Sequence, residues 1–253
     1  MPMTLERFFY ENPSAALGFS GGVDSSYLLY AGLRYGAKIK AYYVKTAFQP
    51  DFELRDAYSL AERIGTVITV IELNVLDNPQ VVANPPDRCY YCKSMIFGSI
   101  KQKAVAQGYT LLLDGTNASD DAADRAGMKA TGELGVRSPL RECGISKADV
   151  RRLSKEAGLF TWDKPAYACL ATRVQTGQEI TDDLLRRVEL AENTLFDLGF
   201  SDLRVRIRGQ DAVLQFPLSS IEYAWRAREE IKRMLKPLFS SVLLDLEARQ
   251  ESM

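Results

Sequence analysis

The first part of the chain alternates short apolar runs with amphipathic stretches. The apolar runs, which have the length and residue types of buried strands, are AALGFS, KIKAYYVK, VITVIEL and TLLLDGT. The stretches SSYLLYAGLRYG and ELRDAYSLAERIG end at glycines, as helices commonly do, and a further helix is expected after NPPDRCYYCK. Because strands that alternate with helices are joined by right-handed crossovers, the pattern predicts an α/β, Rossmann-like parallel sheet with helices on both faces.

The pattern changes after ISKADVRRLSKEAGL, a predicted helix with Ser146 as its N-cap and Gly158 as its terminator. The stretch FTWDKPAYACLATRVQTG has few periodic apolar residues and is predicted to be a loop. Beyond it we expect a helix, an antiparallel pair of strands, a helix and a last strand. These segments are TDDLLRRVELAENTLFDLGF, LRVRIRG, AVLQFPL, AREEIKRMLKPLF and SVLLDLEA. The sequence therefore predicts an α/β domain over residues 1–164 followed by a smaller α+β domain over residues 165–253.

The composition of this 253-residue chain indicates which kinds of partner to expect. The chain is 46% hydrophobic and 26% charged, as ordinary globular domains are. Its 32 basic and 33 acidic side chains nearly cancel, whereas a nucleic-acid binder usually carries an excess of positive charge, so no nucleic-acid partner is expected. No apolar run is long enough to span a bilayer, and the first residues lack a basic-then-apolar secretion signal. We therefore expect a cytoplasmic protein without a membrane partner, and self-association into a homo-oligomer stays open.

The chain contains no histidine. This excludes nucleophiles activated by a Ser-His or Cys-His pair, and it excludes zinc sites with imidazole ligands. Any chemistry must therefore use carboxylates, lysines, arginines, thiolates, hydroxyls, backbone dipoles or cofactors.

The segment FSGGVDSS lies where the first predicted strand meets the first predicted helix, the position at which open parallel sheets bind ligands. Gly21 and Gly22 can adopt backbone angles closed to other residues and let the chain approach an anion closely. The hydroxyl donors beside them are Ser20, Ser25 and Ser26. Asp24 would be repelled by a phosphate unless an ion such as Mg²⁺ or a cap bond holds it, so a metal-bridged polyphosphate fits this turn best. A turn whose glycines serve packing alone is the alternative.

This segment resembles the S-G-G-x-D-S signature of the PP-loop ATP pyrophosphatases. The resemblance implies that residues 1–164 cleave ATP between its α and β phosphates and adenylate an oxygen of a substrate. It adds Gly115, in DGTN, and Arg137, in LGVRSPL, as further ATP-site residues. Main chain around Val44 and Lys45, at the end of the second predicted strand, is expected to receive the adenine.

Six sequence motifs together indicate the class of substrate. They are SGGVDSS, NPPDRCYYCK, DGTN, LGVRSPL, KPAYACLATR and LRVRIRG. Together they resemble the LarE family of ATP-dependent sulfur transferases, over most of the chain. The resemblance implies that a small-molecule nucleotide binds here, a pyridinium mononucleotide derived from nicotinate. One of its carboxylates would be adenylated and converted to a thiocarboxylate during synthesis of a nickel-pincer cofactor.

The strand LRVRIR alternates, which places Arg204, Arg206 and Arg208 on one face. Three like charges on one strand face repel each other unless an anion neutralises them, and guanidinium groups suit both phosphate and carboxylate. A strand face wetted by solvent is the alternative. By the family resemblance, Arg204 and Arg206 bind the substrate, and Glu192 orients them or the substrate. The catalytic residues assigned in this way are Cys169, Glu192, Arg204, Arg206 and Asp24.

Three cysteines, Cys89, Cys92 and Cys169, lie in the LarE-like motifs. The expected compartment disfavours a disulfide, and no histidine can complete a four-ligand zinc site. Some LarE relatives carry a single cysteine at the position of Cys169 and give up its sulfur, which leaves dehydroalanine, whereas others also have the pair. Three thiolates can hold a 4Fe-4S cluster with one iron open to an external sulfide. The resemblance thus favours these three cysteines as cluster ligands, with sacrifice of the Cys169 sulfur as the alternative.

Other functions stay open at this stage. A PP-loop tRNA thiolase can also hold a three-cysteine cluster, but it would need a basic RNA-binding surface. An amidotransferase-type ligase would not need the three cysteines, and a nucleotide sensor would bind ATP without catalysis. The fourth thiol, Cys143, stands alone in LRECGIS and is expected to fill space in or near the core.

Overall fold

The computed structural model describes residues 3–120 and 125–249. The chain forms two compact units. The first unit contains the chain up to Val75 together with Asp87–Lys164, and the second contains Leu76–Pro86 together with the chain from Pro165 onward. The sequence pattern did not assign the segment Leu76–Pro86 to the second unit. Backbone hydrogen bonds from Ile180 to Val82 and from Gly177 to Asn84 tie this segment to it.

The first unit is built on a four-stranded, entirely parallel sheet in the order β3-β2-β1-β4. The strands are β1 (Ser14–Gly18), β2 (Lys38–Lys45), β3 (Ile68–Glu72) and β4 (Leu112–Leu113). The predicted α/β fold class with a parallel sheet is confirmed. The fourth strand is shorter than the run TLLLDGT suggested, because the residues after Leu113 turn away into a loop that accepts and donates side-chain hydrogen bonds.

Eleven helices are found within residues 3–120 and 125–249. They are α1 (Leu5–Glu11), α2 (Val23–Arg34), α3 (Asp51–Ile64), α4 (Pro79–Val82), α5 (Arg88–Ala106), α6 (Arg125–Glu133), α7 (Pro139–Glu142), α8 (Lys147–Glu156), α9 (Asp182–Asp197), α10 (Leu218–Arg226) and α11 (Arg228–Leu235). None of these helices is long and apolar enough to cross a membrane. The predicted caps of α8 are confirmed, because Ser146 forms a capping box with Asp149 and Gly158 follows the helix in the left-handed conformation.

Both faces of the parallel sheet are covered. Leu17 and Tyr43 pack into one buried cluster, whereas their neighbours Ala16 and Tyr42 pack into the other. Successive strand residues point to opposite faces, so strands buried on both sides read as continuous apolar runs. This burial explains why AALGFS and KIKAYYVK were recognisable in the sequence as strands. Since both faces of the sheet are covered, a ligand site is expected at the carboxyl ends of β1 and β2.

The second unit contains a three-stranded sheet in the order β5-β6-β7. Its strands are β5 (Arg204–Arg208), β6 (Asp211–Gln215) and β7 (Val242–Leu244). The predicted antiparallel pairing of the first two strands is confirmed, and β7 joins β6 in parallel. We predicted one helix between β6 and β7, which is wrong, because α10 begins directly after Pro217 and α11 follows it.

The start of α5 is a second correction. The sequence predicted a helix after the segment NPPDRCYYCK, but α5 begins at Arg88, so that Cys89 and Cys92 lie in its first two turns. Cysteine and tyrosine are weak helix formers and CYYCK has no apolar stripe, so the pattern concealed these turns. The two thiols therefore lie on a helix rather than on a loop.

Candidate functional site

The turn between β1 and α2 forms a cradle of polar groups. Gly21 has a φ of 75°, and a Cβ atom there would lie 3.2 Å from the Cβ atom of Ala57. Gly22 is the N-cap of α2, whose first N–H groups are unused by the helix itself. Ser25 Oγ lies 3.1 Å from Ser20 Oγ and accepts a bond from the Ser20 N–H at 3.2 Å. The structure thus assembles main-chain and hydroxyl donors as an anion site requires.

Ser26 has a different place in the same turn. Its side chain is fully buried, and its hydroxyl donates to the Gly22 carbonyl at 2.6 Å. This hydrogen bond connects Ser26 to the N-cap of α2, and its predicted contact with ATP stays a prediction.

Gly115 lies against the cradle from the loop that follows β4. A Cβ atom at Gly115 would lie 2.8 Å from the Ser25 backbone nitrogen and 3.1 Å from its Cα atom. Only glycine fits such a close approach of two backbones. The neighbouring Asp114 is buried and accepts hydrogen bonds from the Thr116 N–H at 3.1 Å and the Ser138 hydroxyl at 2.7 Å. The loop is therefore pinned on both sides of Gly115.

Asp24, in the first turn of α2, is held by two residues from distant parts of the chain. Lys147, the first residue of α8, forms an ion pair with its Oδ2 atom, and Asn117 Nδ2 donates to its Oδ1 atom at 3.1 Å. Lys147 brings a positive charge to an anion cradle whose own segment contains none. Sequence reasoning missed Lys147, since its only local signal was its place at the start of a capped helix.

An apolar cavity of about 150 Å³ adjoins the cradle at the carboxyl ends of β1 and β2. Its lining residues are Gly18, Phe19, Ser20, Tyr42, Tyr43, Val44, Gln49, Ile96, Phe97 and Ile100. Val44, which we predicted to receive adenine, is among them. The ammonium group of Lys45 instead donates to the Gln49 carbonyl and to Asp51, so its side chain joins β2 to α3. The shape and aromatic lining suit a flat base next to a phosphate site.

Arg137 is turned toward other partners in this structure. Its guanidinium group pairs with Glu142 and lies 4.5 Å from the centroid of the Phe8 ring. The hydrogen bond that Arg137 donates to Glu142 raises the pKa of Arg137. Its carbonyl accepts from the Asp114 N–H at 3.0 Å, so its main chain supports the loop that carries Gly115. The predicted contact of Arg137 with ATP stays a prediction.

Cys89, Cys92 and Cys143, the thiols of the first unit, form no disulfide and are half-buried. Arg88, which is itself buried, places Nη2 3.9 Å from the sulfur of Cys89, so a cation accompanies the Cys89–Cys92 pair. Cys143 packs against the main core, and burial raises the pKa of its thiol. A buried thiol with a raised pKa is unreactive, in keeping with the predicted filler role of Cys143.

In the second unit, Cys169 lies at the start of a short 3-10 helix, Leu170–Arg173. Arg173 is 1% exposed and pairs with Glu192, which is equally buried. Glu192 also accepts a bond from the Val205 N–H at 2.9 Å and one from the Tyr167 hydroxyl. These hydrogen bonds connect Glu192 to Arg173, Tyr167 and the main chain of β5, and its predicted role in orienting the β5 arginines or the substrate stays a prediction.

The three arginines of β5 differ in their surroundings. Arg204 is buried and donates to the Leu203 and Ala166 carbonyls, both at 2.6 Å. Burial and the nearby charge of Arg173 lower the pKa of Arg204 to about 10. Arg206 is exposed and donates to Gln215 at 2.5 Å and to the Thr172 carbonyl at 3.0 Å. Alternation correctly placed these arginines on one face of β5, but it did not show that Arg204 is covered.

A basic cavity of about 470 Å³ opens beside β5. It is lined by Arg173, Val174, Gln175, Arg206, Ile207 and Arg208. Partial burial and the charge of Arg173 lower the pKa of Arg206, and three of the six lining residues are arginines. The cavity suits a ligand that carries phosphate or carboxylate groups.

Within the described residues, no group of three or more cysteine, aspartate or glutamate side chains is arranged to hold a metal ion. Mg²⁺ at Asp24 and a cluster on Cys89, Cys92 and Cys169 therefore remain predictions. They rest on the chemistry of the donors, which are a carboxylate in the first case and half-buried thiols outside any disulfide in the second.

No protein-family model matches the chain. An uncharacterized protein of Synechocystis sp. is 40% identical to it over 221 residues, which cover 86% of this chain and 82% of that protein. The pyridinium-3,5-bisthiocarboxylic acid mononucleotide synthase of Lactiplantibacillus plantarum is 34% identical over 233 residues, or 91% of this chain and 84% of the synthase. The tRNA-specific 2-thiouridylase MnmA of Thermotoga petrophila is 24% identical over 58% of this chain and 53% of its own length.

Proposed function

The chain belongs to the LarE family, that of the pyridinium-3,5-bisthiocarboxylic acid mononucleotide synthase, and we propose that it performs the reaction of that synthase. It is an ATP-dependent sulfurtransferase. In the proposed reaction, a carboxylate of a pyridinium mononucleotide is adenylated and then converted to a thiocarboxylate, as a step in the synthesis of a nickel-pincer cofactor.

One observation supports this proposal above the others. Arg206, in the basic cavity, donates to the carbonyl of Thr172, which lies on the same 3-10 helix that follows Cys169. A guanidinium group suited to a substrate carboxylate is therefore bonded to the segment that carries a thiol. A protein that merely bound ATP would have no need of this connection.

Activation of the carboxylate is assigned to the first unit. The donors around Gly21, Gly22 and Ser25 bind the β and γ phosphates, and Lys147 neutralises part of their charge. The substrate carboxylate oxygen attacks the α phosphorus, the bond to the bridging oxygen breaks, and pyrophosphate leaves. Asp24 is the residue that would hold Mg²⁺, which when bound would offset further charge on the leaving group. Each Asp24 oxygen now accepts one hydrogen bond and keeps a lone pair for such a contact.

Sulfur transfer is assigned to the thiols. A sulfur nucleophile attacks the carbonyl carbon of the acyl adenylate, the carbon–oxygen bond to the phosphate breaks, and AMP leaves. Cys89, Cys92 and Cys169 are the residues that we propose to hold a 4Fe-4S cluster, which when bound would supply sulfide. In the alternative, Cys169 itself attacks, and loss of its α proton with cleavage of the Cβ–S bond leaves dehydroalanine.

The proposed function is tested with anaerobically prepared protein, Mg²⁺-ATP, sulfide and pyridinium-3,5-dicarboxylate mononucleotide. We expect AMP, pyrophosphate and a product whose mass shows exchange of oxygen for sulfur. Cys169→Ser should still release pyrophosphate but form no thiocarboxylate, since the adenylating residues are unchanged. Pyrophosphate release that is indifferent to the dicarboxylate, or a product without sulfur, would refute the proposal.

The sulfur source is decided by two further measurements on the same samples. Iron and acid-labile sulfide, together with an unchanged protein mass after turnover, are expected for the cluster. A protein mass reduced by the equivalent of hydrogen sulfide, located at Cys169, would establish sacrifice instead.

The similarity to MnmA favours a tRNA thiolase as a second candidate. It covers little more than half of either chain, and the net charge of −1 offers no general attraction to RNA. Filter binding with bulk tRNA at moderate salt tests this candidate. Tight binding that weakens steeply with added salt would favour it over the mononucleotide.

A further inference from the structure

The guanidinium group of Arg173 connects a buried carboxylate to the segment that carries Cys169. On one side, Nε and Nη2 donate to Glu192 at 2.9 and 3.0 Å. On the other side, Nη1 donates to the Ala168 carbonyl at 2.7 Å, to the Cys169 carbonyl at 3.3 Å and to the Thr172 hydroxyl at 2.9 Å. Every donor nitrogen of this side chain is therefore engaged, and three of its acceptors flank the thiol.

A second set of contacts holds the segment that carries Cys169. The centroid of the Tyr167 ring lies 4.5 Å from the guanidinium carbon of Arg173 and 5.0 Å from that of Arg204. Its hydroxyl donates to Glu192, and Arg204 donates to the Ala166 carbonyl at 2.6 Å. The chain from Ala166 to Thr172 is thus anchored at both ends although it contains little regular structure.

Stability alone is a poor explanation for this arrangement. Replacing a buried ion pair by well-packed apolar residues is often neutral or stabilising, because burial of the two charges costs about as much as their attraction returns. A planar guanidinium fork, in contrast, fixes several acceptors in one geometry. Glu192 also accepts from the Val205 N–H in β5, so the fork is aligned with the strand that carries Arg206.

We propose that Arg173 is a positioning residue that holds Cys169 in place for sulfur transfer, and that Glu192 and Tyr167 act by holding Arg173 rather than by contacting the substrate. This inference rests on the proposed function. It reassigns Glu192, which the family resemblance placed among the substrate-orienting residues, and it gives Arg173 and Tyr167 a positioning role.

The central test is Arg173→Lys, which keeps the positive charge beside Glu192 but cannot form the fork. Hydrogen exchange is followed by mass spectrometry in peptides spanning residues 165–174, alongside steady-state kinetics. We expect exchange in these peptides to be about tenfold faster and kcat for thiocarboxylate formation to fall about tenfold. The KM for ATP should stay at the wild-type value.

Two further variants separate positioning from folding. Thr172→Val removes one acceptor of Arg173 without removing a charge, and we expect the same changes at about threefold. Arg187→Lys is the matched control, because Arg187 also donates to a main-chain carbonyl of the second unit, that of Leu238, but not to the Cys169 segment. It should leave both the exchange of residues 165–174 and kcat unchanged.

The inference is overturned if Arg173→Lys and Thr172→Val leave exchange and kcat as in the wild type. It is also overturned if exchange rises equally throughout the second unit, which would indicate a merely structural role. A wild-type protein that forms no thiocarboxylate would instead refute the proposed function. In that case the exchange measurements would still decide whether Arg173 holds the Cys169 segment.

Discussion

The two proposed anion sites of this protein are built in opposite ways. In the first unit, the cradle offers backbone N–H groups and hydroxyls at a turn, and its Lys147 is already paired with Asp24. In the second unit, the basic cavity offers guanidinium side chains, and partial burial together with the nearby charge of Arg173 lowers the pKa of Arg206. The first site depends on backbone shape, whereas the second depends on charge. Steric changes should therefore damage the cradle, and changes of charge or salt should damage the cavity.

The largest effect is expected from Gly115→Ala. The added Cβ would lie 2.8 Å from the Ser25 backbone nitrogen, and backbone on both sides leaves little room for relaxation. Overpacking of this kind costs about 1–3 kcal/mol, so ATP affinity should fall roughly 10- to 100-fold by calorimetry. Gly98→Ala is the control, because a Cβ atom there meets nothing within 4 Å. Unchanged ATP binding in Gly115→Ala would contradict the tight approach.

Lys147→Met should have the next largest effect. The variant keeps the bulk of the side chain but removes the cation that faces Asp24. Hydrogen bonds to charged groups contribute about 1.5–3 kcal/mol, so kcat/KM for ATP should fall roughly 10- to 100-fold in a pyrophosphate assay. Lys155→Met, on the exposed side of the same helix, should be silent. An equal loss of kcat/KM in both variants would show that the integrity of α8, rather than the charge of Lys147, determines the activity with ATP.

The basic cavity is probed by Arg206→Gln and Arg208→Gln. Exposed charges are partly screened, so we expect the KM for the mononucleotide to rise about tenfold for Arg206 and about threefold for Arg208. The KM for ATP should not change. Raising the ionic strength should increase the KM for the mononucleotide more than that for ATP in the wild type, and this difference should shrink in both variants. Equal salt dependence for the two substrates would remove the proposed contrast between the sites.

The smallest effect concerns Cys143, whose thiol pKa is raised by burial. The folded protein keeps this proton at a pH where the unfolded chain loses it, so stability should decline as the pH rises from the usual thiol pKa through the raised value. Alkylation at pH 8 should also be slower at Cys143 than at the other cysteines. Cys143→Ala should abolish this part of the pH dependence in denaturant titrations. An identical pH profile in wild type and variant would contradict the role of the buried thiol.

Features encoded by neighbouring residues could be predicted from the sequence. The caps at Ser146 and Gly158 and the pairing of β5 with β6 depend on local chemistry and alternation, and both are confirmed. The start of α5 was missed because CYYCK lacks an apolar stripe. The helix α10 was missed because the sequence pattern assigned a helix only to the segment that follows it, AREEIKRMLKPLF. Local pattern therefore sufficed for strands and caps but not for every helix end.

Partners that meet only through folding could not be predicted. Lys147 reaches Asp24 across 123 residues of sequence, and nothing in either segment indicates the other. Alternation placed Arg204 and Arg206 on the same face of β5, yet Tyr167 and the Ala166 carbonyl cover the first and leave the second exposed. The sequence analysis named Glu192, but its ion pair with Arg173 emerges only from the packed structure.

The hydrogen bonds that Arg173 donates to the Cys169 segment have a consequence for a protein in which residue 169 is substituted or has lost its sulfur. Arg173 binds main-chain oxygens and a neighbouring hydroxyl, and these acceptors are present whatever atom is attached to the β carbon at position 169. A serine, a metal-bound thiolate or a residue that has lost its sulfur would find the same backbone support. The same backbone hydrogen bonds are therefore available whether the sulfur comes from a cluster or from Cys169 itself. Restoring a lost sulfur at position 169 would not require this segment to refold.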